Sequence, residues 1–462
     1  MQLFVLSPDG CSPGPRLQVG HLGWALLAQD LEPGGHGDDF TCVSYSWGLG
    51  RTPSVFDPSA LVSDRTTPAL STVMLQRPAC RKIWVDAFCV PGTEYPAERA
   101  ATLESMGFIY SQAEEVLVVL TADARPALER MHNESPLLRI HLDLLEKEDW
   151  VTRAWTYQEA VNAKRLRISC HGAPAGTIID CLDFISSVGE ALNQLSPQDR
   201  NKYPQLNSFE DVMVDCVVAG YLQRSALQVM SIMDGRTQTW PDDHFYAMIG
   251  AISTEPAAAV GRLSPCEAFM SLCERKGDYS FIFSSAPRDT RPGRRWRPLD
   301  APDLPAILKL SGTGSGLRGR LENGVLILED VLVMKQAPVS LAGKAFIAQW
   351  LAAPGGFNLS EHGPDLELEE MAFQALKDLG FSGSSKYLTT GSGLFFPQVR
   401  IPPCSLAGVE LLVAAGIPWR LGAPALARCS ESPGDETVLY VPGVFFGNIF
   451  TSVHRPITVI LD

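Results

Sequence analysis

The 462-residue chain has material for two or three domains of roughly 150 residues each, and its 45% hydrophobic and 19% charged residues exclude a largely disordered protein. A net charge of −14 repels phosphate backbones and anionic lipid, so no nucleic acid is expected as a main partner. The 11 cysteines include no CxxC pair, MQLFVLSPDG lacks the basic start and apolar core of a secretory leader, and no apolar run reaches the roughly 18 residues of a membrane span, so a cytoplasmic protein with reduced thiols is expected.

In chain order, MQLFVLS reads as a strand and PGPRLQVGHLGWALL as an apolar cap before a glycine-rich turn at Gly34, Gly35 and Gly37. The run from Phe40 to Ser46 predicts a buried strand that turns at Trp47 to Gly50, with a helix over Pro68 to Leu75. Lys82 to Val90 predicts a second strand, which places Asp86 in a buried strand and ends at the breakers Pro91 and Gly92. From Glu98 to Glu115, apolar residues recur at three and four, as in a helix, and Val116 to Thr121 is a third strand. Asp149 to Ala163 puts Trp150, Ala154, Tyr157 and Val161 on one helical face, and RLRISCHG follows as a fourth strand. Strand and helix alternate throughout, which predicts an α/β domain with a parallel sheet and a ligand site at the carboxyl ends of its strands.

The stretch from Cys181 to Met233 reads as helical, with its clearest helix at VMVDCVVAGYLQRSALQVM, followed by helices from Trp240 and over Pro265 to Lys276. Beyond Arg288 the texture becomes β-rich. Asn323-Gly324 predicts a hairpin, VLYVPGVFF and ITVILD are late strands, and Met371 to Leu379 is an embedded helix. The expected domains are therefore an N-terminal strand and cap (1–39), the α/β domain (40–180), a helical region (181–287) and a β-rich C-terminal module (288–462).

Chemistry is expected where the first strand ends, at Ser44, Tyr45, Ser46, Trp47 and Gly48. Trp155 and Glu159, four apart on one helix, set an aromatic wall beside a carboxylate. Without a GxSxG elbow, Ser44 and Ser46 are expected to be turn hydrogen-bonders rather than nucleophiles. A buried Asp86 needs a partner, and Arg99 and Arg153 are the candidates for it or for a phosphate. Glu159 is a reacting carboxylate, a solvated helix residue, or an acid paired with Lys164 or Arg153. His171 is expected to be an ordinary hydrogen-bonded histidine, with no metal site. Two readings stay open for the basic run Arg288, Arg291, Arg294, Arg295 and Arg297 around Trp296: a clamp for an oxyanion, or a solvated loop.

The segments FTCVSYSWG, KIWVDAFCV, GFIYSQAEEV, VLVVLT and TRAWTYQEA, in this order and spacing, resemble a heterokaryon-incompatibility (HET) domain of filamentous fungi over roughly Phe40 to Gly172, and WPDDHFYAMIGAI resembles the segment that follows such domains. The family's usual Asn-Gln pair is replaced by Val90, Pro91 and Gly92, with Glu94 the nearest acid. Such domains are distantly similar to TIR domains. That resemblance implies a TIR-like, flavodoxin-like sheet and NAD as a substrate, with no cofactor required. It casts Glu159 as the carboxylate facing a developing oxocarbenium ion, Trp47 or Trp155 as a stacking surface, and Ser44, Tyr45, Ser46, Asp86, Arg99 and Arg153 as the rest of the site. Three functions follow from the resemblance: a cell-death effector of self/non-self recognition that consumes NAD, a non-catalytic module that signals by self-association or through a protein partner, and an enzyme recruited to small-molecule biosynthesis.

Overall fold

A computed structural model of the protein describes residues 1–8, 14–19, 22–32, 40–207, 209, 224–253, 255–256, 263–309, 316–353, 367–401, 408–430, 438–450 and 457–461. The turn at Gly34, Gly35 and Gly37 and most of the helix expected over 212–230 lie outside these residues. The chain forms two compact units, Met1–Tyr221 with Gly235–Leu263, and Leu222–Asp234 with Ser264–Asp462.

The first unit is built on a sheet of β1 (Gln2–Ser7), β2 (Leu17–Val19), β3 (Leu22–Asp30), β4 (Thr41–Tyr45), β7 (Ile83–Trp84), β8 (Glu115–Leu120), β9 (Leu166–Cys170) and β10 (Ile179–Asp180), in the order β10-β9-β8-β4-β7-β1-β3-β2. A separate hairpin joins β5 (Arg51–Pro53) to β6 (Leu61–Ser63). Strands β7, β4, β8 and β9 are parallel, and the flanking strands antiparallel. The sheet is thus mixed rather than parallel throughout. The N-terminal strand and cap build its antiparallel half, because β1 and β3 pair along their length and β1 docks on β7 at Leu6–Ile83.

Every residue of β4 and β8 is buried, as in strands covered on both faces. Side chains alternate across a sheet, so neighbours Ser44 and Tyr45 report on its two sides. Tyr45 hydrogen-bonds to Thr66 at the start of α1 (Thr66–Gln76), whereas Ser44 reaches the later helices that carry Trp150 and Glu159. Taken in chain order, the parallel strands lie second-first-third-fourth. The connections therefore diverge between β4 and β8, the switch point where open α/β sheets take ligands.

Three helical segments differ from expectation. The second strand is only Ile83–Trp84, and α2 (Asp86–Cys89) follows it, so Asp86 opens a helix just past the strand end instead of lying within it. The helix expected from Glu98 is two, α3 (Pro96–Glu104) and α4 (Met106–Gln112), which meet at Ser105, whose hydroxyl bonds back to the Ala101 carbonyl. After α5 (Arg125–His132) and α6 (Arg139–Leu145), the helix expected over Asp149–Ala163 is split into α7 (Asp149–Thr152) and α8 (Ala154–Val161) by an extended Arg153 (φ −72°, ψ 143°). Thr237 causes the break: it donates to the Thr152 carbonyl and accepts from the Ala154 N–H, and Arg236 donates to the Arg153 carbonyl.

Following α9 (Cys181–Asn193), α10 (Pro241–Ile252) packs on α8 and α4. Gly107 and Gly250 let α4 and α10 approach backbone to backbone, since a Cβ on Gly107 would lie 2.1 Å from the Gly250 carbonyl oxygen. That same oxygen accepts from Asn162 Nδ2 at 2.7 Å.

The second unit holds an antiparallel sheet of β11 (Gly319–Glu322), β12 (Val325–Lys335), β13 (Leu388–Thr390), β14 (Gly393–Pro397), β15 (Glu410–Ala414), β16 (Gly422–Ser430) and β17 (Val438–Gly447), with β18 (Ile457–Leu461) paired to β12. The β11–β12 turn places Asn323 and Gly324 at φ 53° and 84°, the left-handed pair that a two-residue hairpin needs. The helix α11 spans Pro265–Lys276, as the sequence predicts, starting on a Ser264 cap and ending on Gly277 at φ 73°, and α12 (Leu341–Leu351) and α13 (Leu368–Asp378) lie in the same unit.

The basic run mixes buried and exposed positions. Trp296 is buried, Arg297 is buried with its guanidinium shared between Glu267 and Glu274, Arg291 pairs with Asp289, and Arg288 donates to the Ile282 and Ser284 carbonyls. Arg288 and Arg297 are internal ties of the second unit, whereas Arg291 holds its pair at the surface.

Candidate functional site

Four parallel strands end on one side of the first unit, and the expected site residues that end them or follow them meet there. Ser44 is the penultimate residue of β4, and its hydroxyl donates to Glu159 Oε2. Trp150 Nε1 donates to the same Ser44 Oγ at 2.6 Å, and the Tyr110 hydroxyl also hydrogen-bonds to the carboxyl. Ser44, Trp150, Tyr110 and Glu159 are all buried, with Glu159 only 5% exposed. Burial pushes the Glu159 carboxyl up to about 8; the nearby Asp86 adds to the rise, and Ser44, Arg153 and Tyr110 oppose it. This acid therefore holds its proton to a higher pH than an ordinary glutamate.

Beside it lies a second acid. Asp86 Oδ2 accepts from Trp47 Nε1 at 2.8 Å, and Oδ1 accepts from the Ala87 N–H at 2.7 Å. Tyr45 also hydrogen-bonds to Asp86. Burial raises the Asp86 carboxyl above its ordinary value, with Trp47, Ala87 and Arg153 pulling it back. The Tyr45 hydroxyl is raised well above the ordinary tyrosine value by burial and then by Asp86. Arg153, half-buried at the break between α7 and α8, acts electrostatically on both Asp86 and Glu159.

Ser46 is bound by Arg65, whose Nη1 donates to Ser46 Oγ at 2.7 Å and to Asp149 at 3.2 Å. Ser46 is thus a hydrogen-bonder of the turn after β4, whereas Ser44 lies within the strand and bonds to Glu159 and Trp150. Arg51 lies 5.5 Å from the Trp47 ring centroid, over that half-buried indole.

Two expected members stand apart. Arg99 does not partner Asp86: its guanidinium donates to the Pro91 carbonyl at 3.0 Å, closing the Val90–Gly92 stretch, and its charge acts on Asp243 and Tyr246. Trp155 is turned toward α10, where it stacks on Tyr246 (6.3 Å between centroids, 11° between planes) and bonds to Asp243. Nor does Glu159 pair with Lys164, which donates to the Gln112 carbonyl. His171 is half-buried with Nε2 shut away from any hydrogen-bond partner among the described residues, so it is not the ordinary bonded histidine expected; burial and Arg65 push it below its usual value.

Trp150, Tyr110, Thr66 and Arg65 belong to the site and carry no sequence signal of chemistry. Trp150 and Tyr110 sit on apolar helical stripes, where an aromatic reads as core. Chemically, the cluster offers a buried acid backed by a hydroxyl, a second carboxyl held by an indole, and one guanidinium whose charge acts on both. That set suits a small polar ligand whose reaction develops positive charge.

Comparisons with curated proteins and with solved structures return no match. One family model matches residues 40–140, a segment that contains Ser44 to Trp47, Asp86 and Arg99 and stops short of Trp150, Arg153, Trp155 and Glu159. That model is the Heterokaryon incompatibility protein (HET), so residues 40–140 of the chain are similar to a HET domain.

Proposed function

We propose that the HET domain is a TIR-like NAD glycohydrolase, acting as a cytoplasmic effector of self/non-self recognition that ends in programmed cell death. The carrying observation is Glu159, a carboxyl held by Ser44 at the end of β4, beside the switch point of the sheet and within the field of Asp86 and Arg153. The second-first-third-fourth order of the parallel strands is that of flavodoxin-like sheets, which supports the TIR-like reading.

In the reaction, the bond from ribose C1′ to the nicotinamide nitrogen breaks and its electron pair leaves with nicotinamide, now neutral. C1′ gains positive charge, which ionised Glu159 and Asp86 offset. Water then adds to C1′ and releases a proton, giving ADP-ribose. Only the ionised acid stabilises that charge, so kcat/KM should rise with pH through about 8, the Glu159 value in the free protein.

Purified protein incubated with NAD should release nicotinamide, and Glu159→Gln should lower the rate at least a hundredfold, within the range that single charge-stabilising groups supply. No nicotinamide from the wild-type chain would sink the proposal. A second reading rests on the same acid: Glu159 is buried and bonded by Ser44 and Tyr110, as a purely structural group would be. On that reading the domain signals by self-association, and cell killing survives Glu159→Gln.

A further inference from the structure

We propose that Trp150 is a positioning residue for Glu159: its indole N–H fixes the direction of the Ser44 hydroxyl, which leaves the acid proton on Oε1, the carboxyl oxygen away from Ser44. The indole nitrogen can only donate, and it reaches Ser44 Oγ at 2.6 Å. A serine hydroxyl carries one hydrogen. Trp150 engages one of the oxygen's two lone pairs, and the hydrogen is directed at Glu159 Oε2. Oε2 is then an acceptor, and the neutral acid must carry its proton on the other oxygen. Oε1 is thereby the atom that gives up or takes back the proton.

Trp150 is itself held in place. Its ring meets Phe209 edge to face at 5.6 Å between centroids, and its backbone carbonyl accepts from Thr156 Oγ1 at 2.8 Å, tying α7 to the helix that bears Glu159. The other groups acting on Glu159 are Cys42 and Tyr45 from β4, Asp86 from α2, Tyr110 from α4 and Arg153 at the start of α8, with Asp243 of α10 acting on Arg153. All remain when Trp150 is changed.

The inference rests on the glycohydrolase reading only for the use made of the proton, so the test follows the carboxyl itself. Glutamate is labelled with ¹³C at the side-chain carboxyl, the Glu159 resonance is assigned against Glu159→Gln, and the full chain is titrated. Trp150→Phe should raise the Glu159 pKa by about one unit, making it roughly a tenfold weaker acid. The freed Ser44 hydroxyl then turns to accept from the neutral acid. A benzothienylalanine at position 150 keeps the shape of the indole without its N–H and should give the same shift; it decides the matter if Trp150→Phe does not fold. Ser44→Ala should also raise the value and Ser44→Thr should leave it in place. Deleting the Trp150 N–H in the Ser44→Ala background should add nothing.

A folded position-150 variant with an unmoved Glu159 titration overturns the assignment, and so does a further shift in the Ser44→Ala background. Where nicotinamide is released, the rising limb of its pH profile should move with the titration in each variant. A wild-type chain that releases none fails the glycohydrolase reading and leaves the titration result standing.

Discussion

Glu159 makes the stability of the protein depend on pH in a direction opposite to that of a salt-bridged carboxylate. Its folded value of about 8 lies above the ordinary 4.5, so between those two the folded chain holds a proton that the unfolded chain gives up. Stability conferred by the acid is therefore full below about 4.5 and falls as pH rises toward 8, by up to about 1.4 kcal/mol per pH unit. Glu159→Gln should flatten this slope. Urea midpoints at pH 5 and pH 8 check it, and equal slopes in the two proteins would contradict the burial argument. Arg297 gives a second test at this scale. Removing it leaves the half-buried Glu267 and Glu274 without their shared cation, so Arg297→Met should cost about 1–3 kcal/mol. Arg291→Ala, at an exposed pair, should leave the melting temperature nearly unchanged. Ser44 and Trp47 were legible because they close an apolar run, Asp86 because an acid in such a run stands out, and Glu159 through the resemblance of TRAWTYQEA to the family segment. Trp150 was not, since its donor nitrogen rides on a ring that packs like any core aromatic.

Among the elements, the buried strands β4 and β8 announce themselves as short apolar runs, while the breaks in helices do not. Nothing near Arg153 marks a stop; the break is imposed by Thr237, more than eighty residues away, which takes the hydrogen bonds a continuous helix would use. Asp86 was placed in a strand because IWVDAFCV alternates, yet pairing with β4 ends at Trp84 and the next four residues coil. The α4–α10 crossing provides a prediction in which propensity and packing disagree. Alanine favours helices over glycine by about 1 kcal/mol, but at Gly107 its Cβ meets the Gly250 carbonyl oxygen at 2.1 Å. Gly107→Ala should therefore destabilise the chain by about 1–3 kcal/mol, seen as a lower urea midpoint. A raised midpoint would mean that the two helices separate freely.

For the whole molecule, the sequence texture correctly separated an α/β front from a β-rich back, because strand-helix alternation and hairpin turns are local signals. It did not reveal that the chain visits the second unit at residues 222–234 and returns to the first at 235–263, since that return is decided by which face α10 covers. A fragment ending at residue 180 lacks α10 and should unfold at lower urea and bind a hydrophobic dye more strongly than one ending at 263; matching midpoints would argue against a covering role. The late return also sets a clock on biosynthesis. Glu159 leaves the ribosome roughly ninety residues before the end of α10, a delay on the order of 5 to 20 s at ordinary elongation rates. Throughout that interval α8 lacks both its cover and the Thr237 staple that shapes it at Arg153. The cluster around Glu159 is thus left unfinished until synthesis has run well past the segment that carries it.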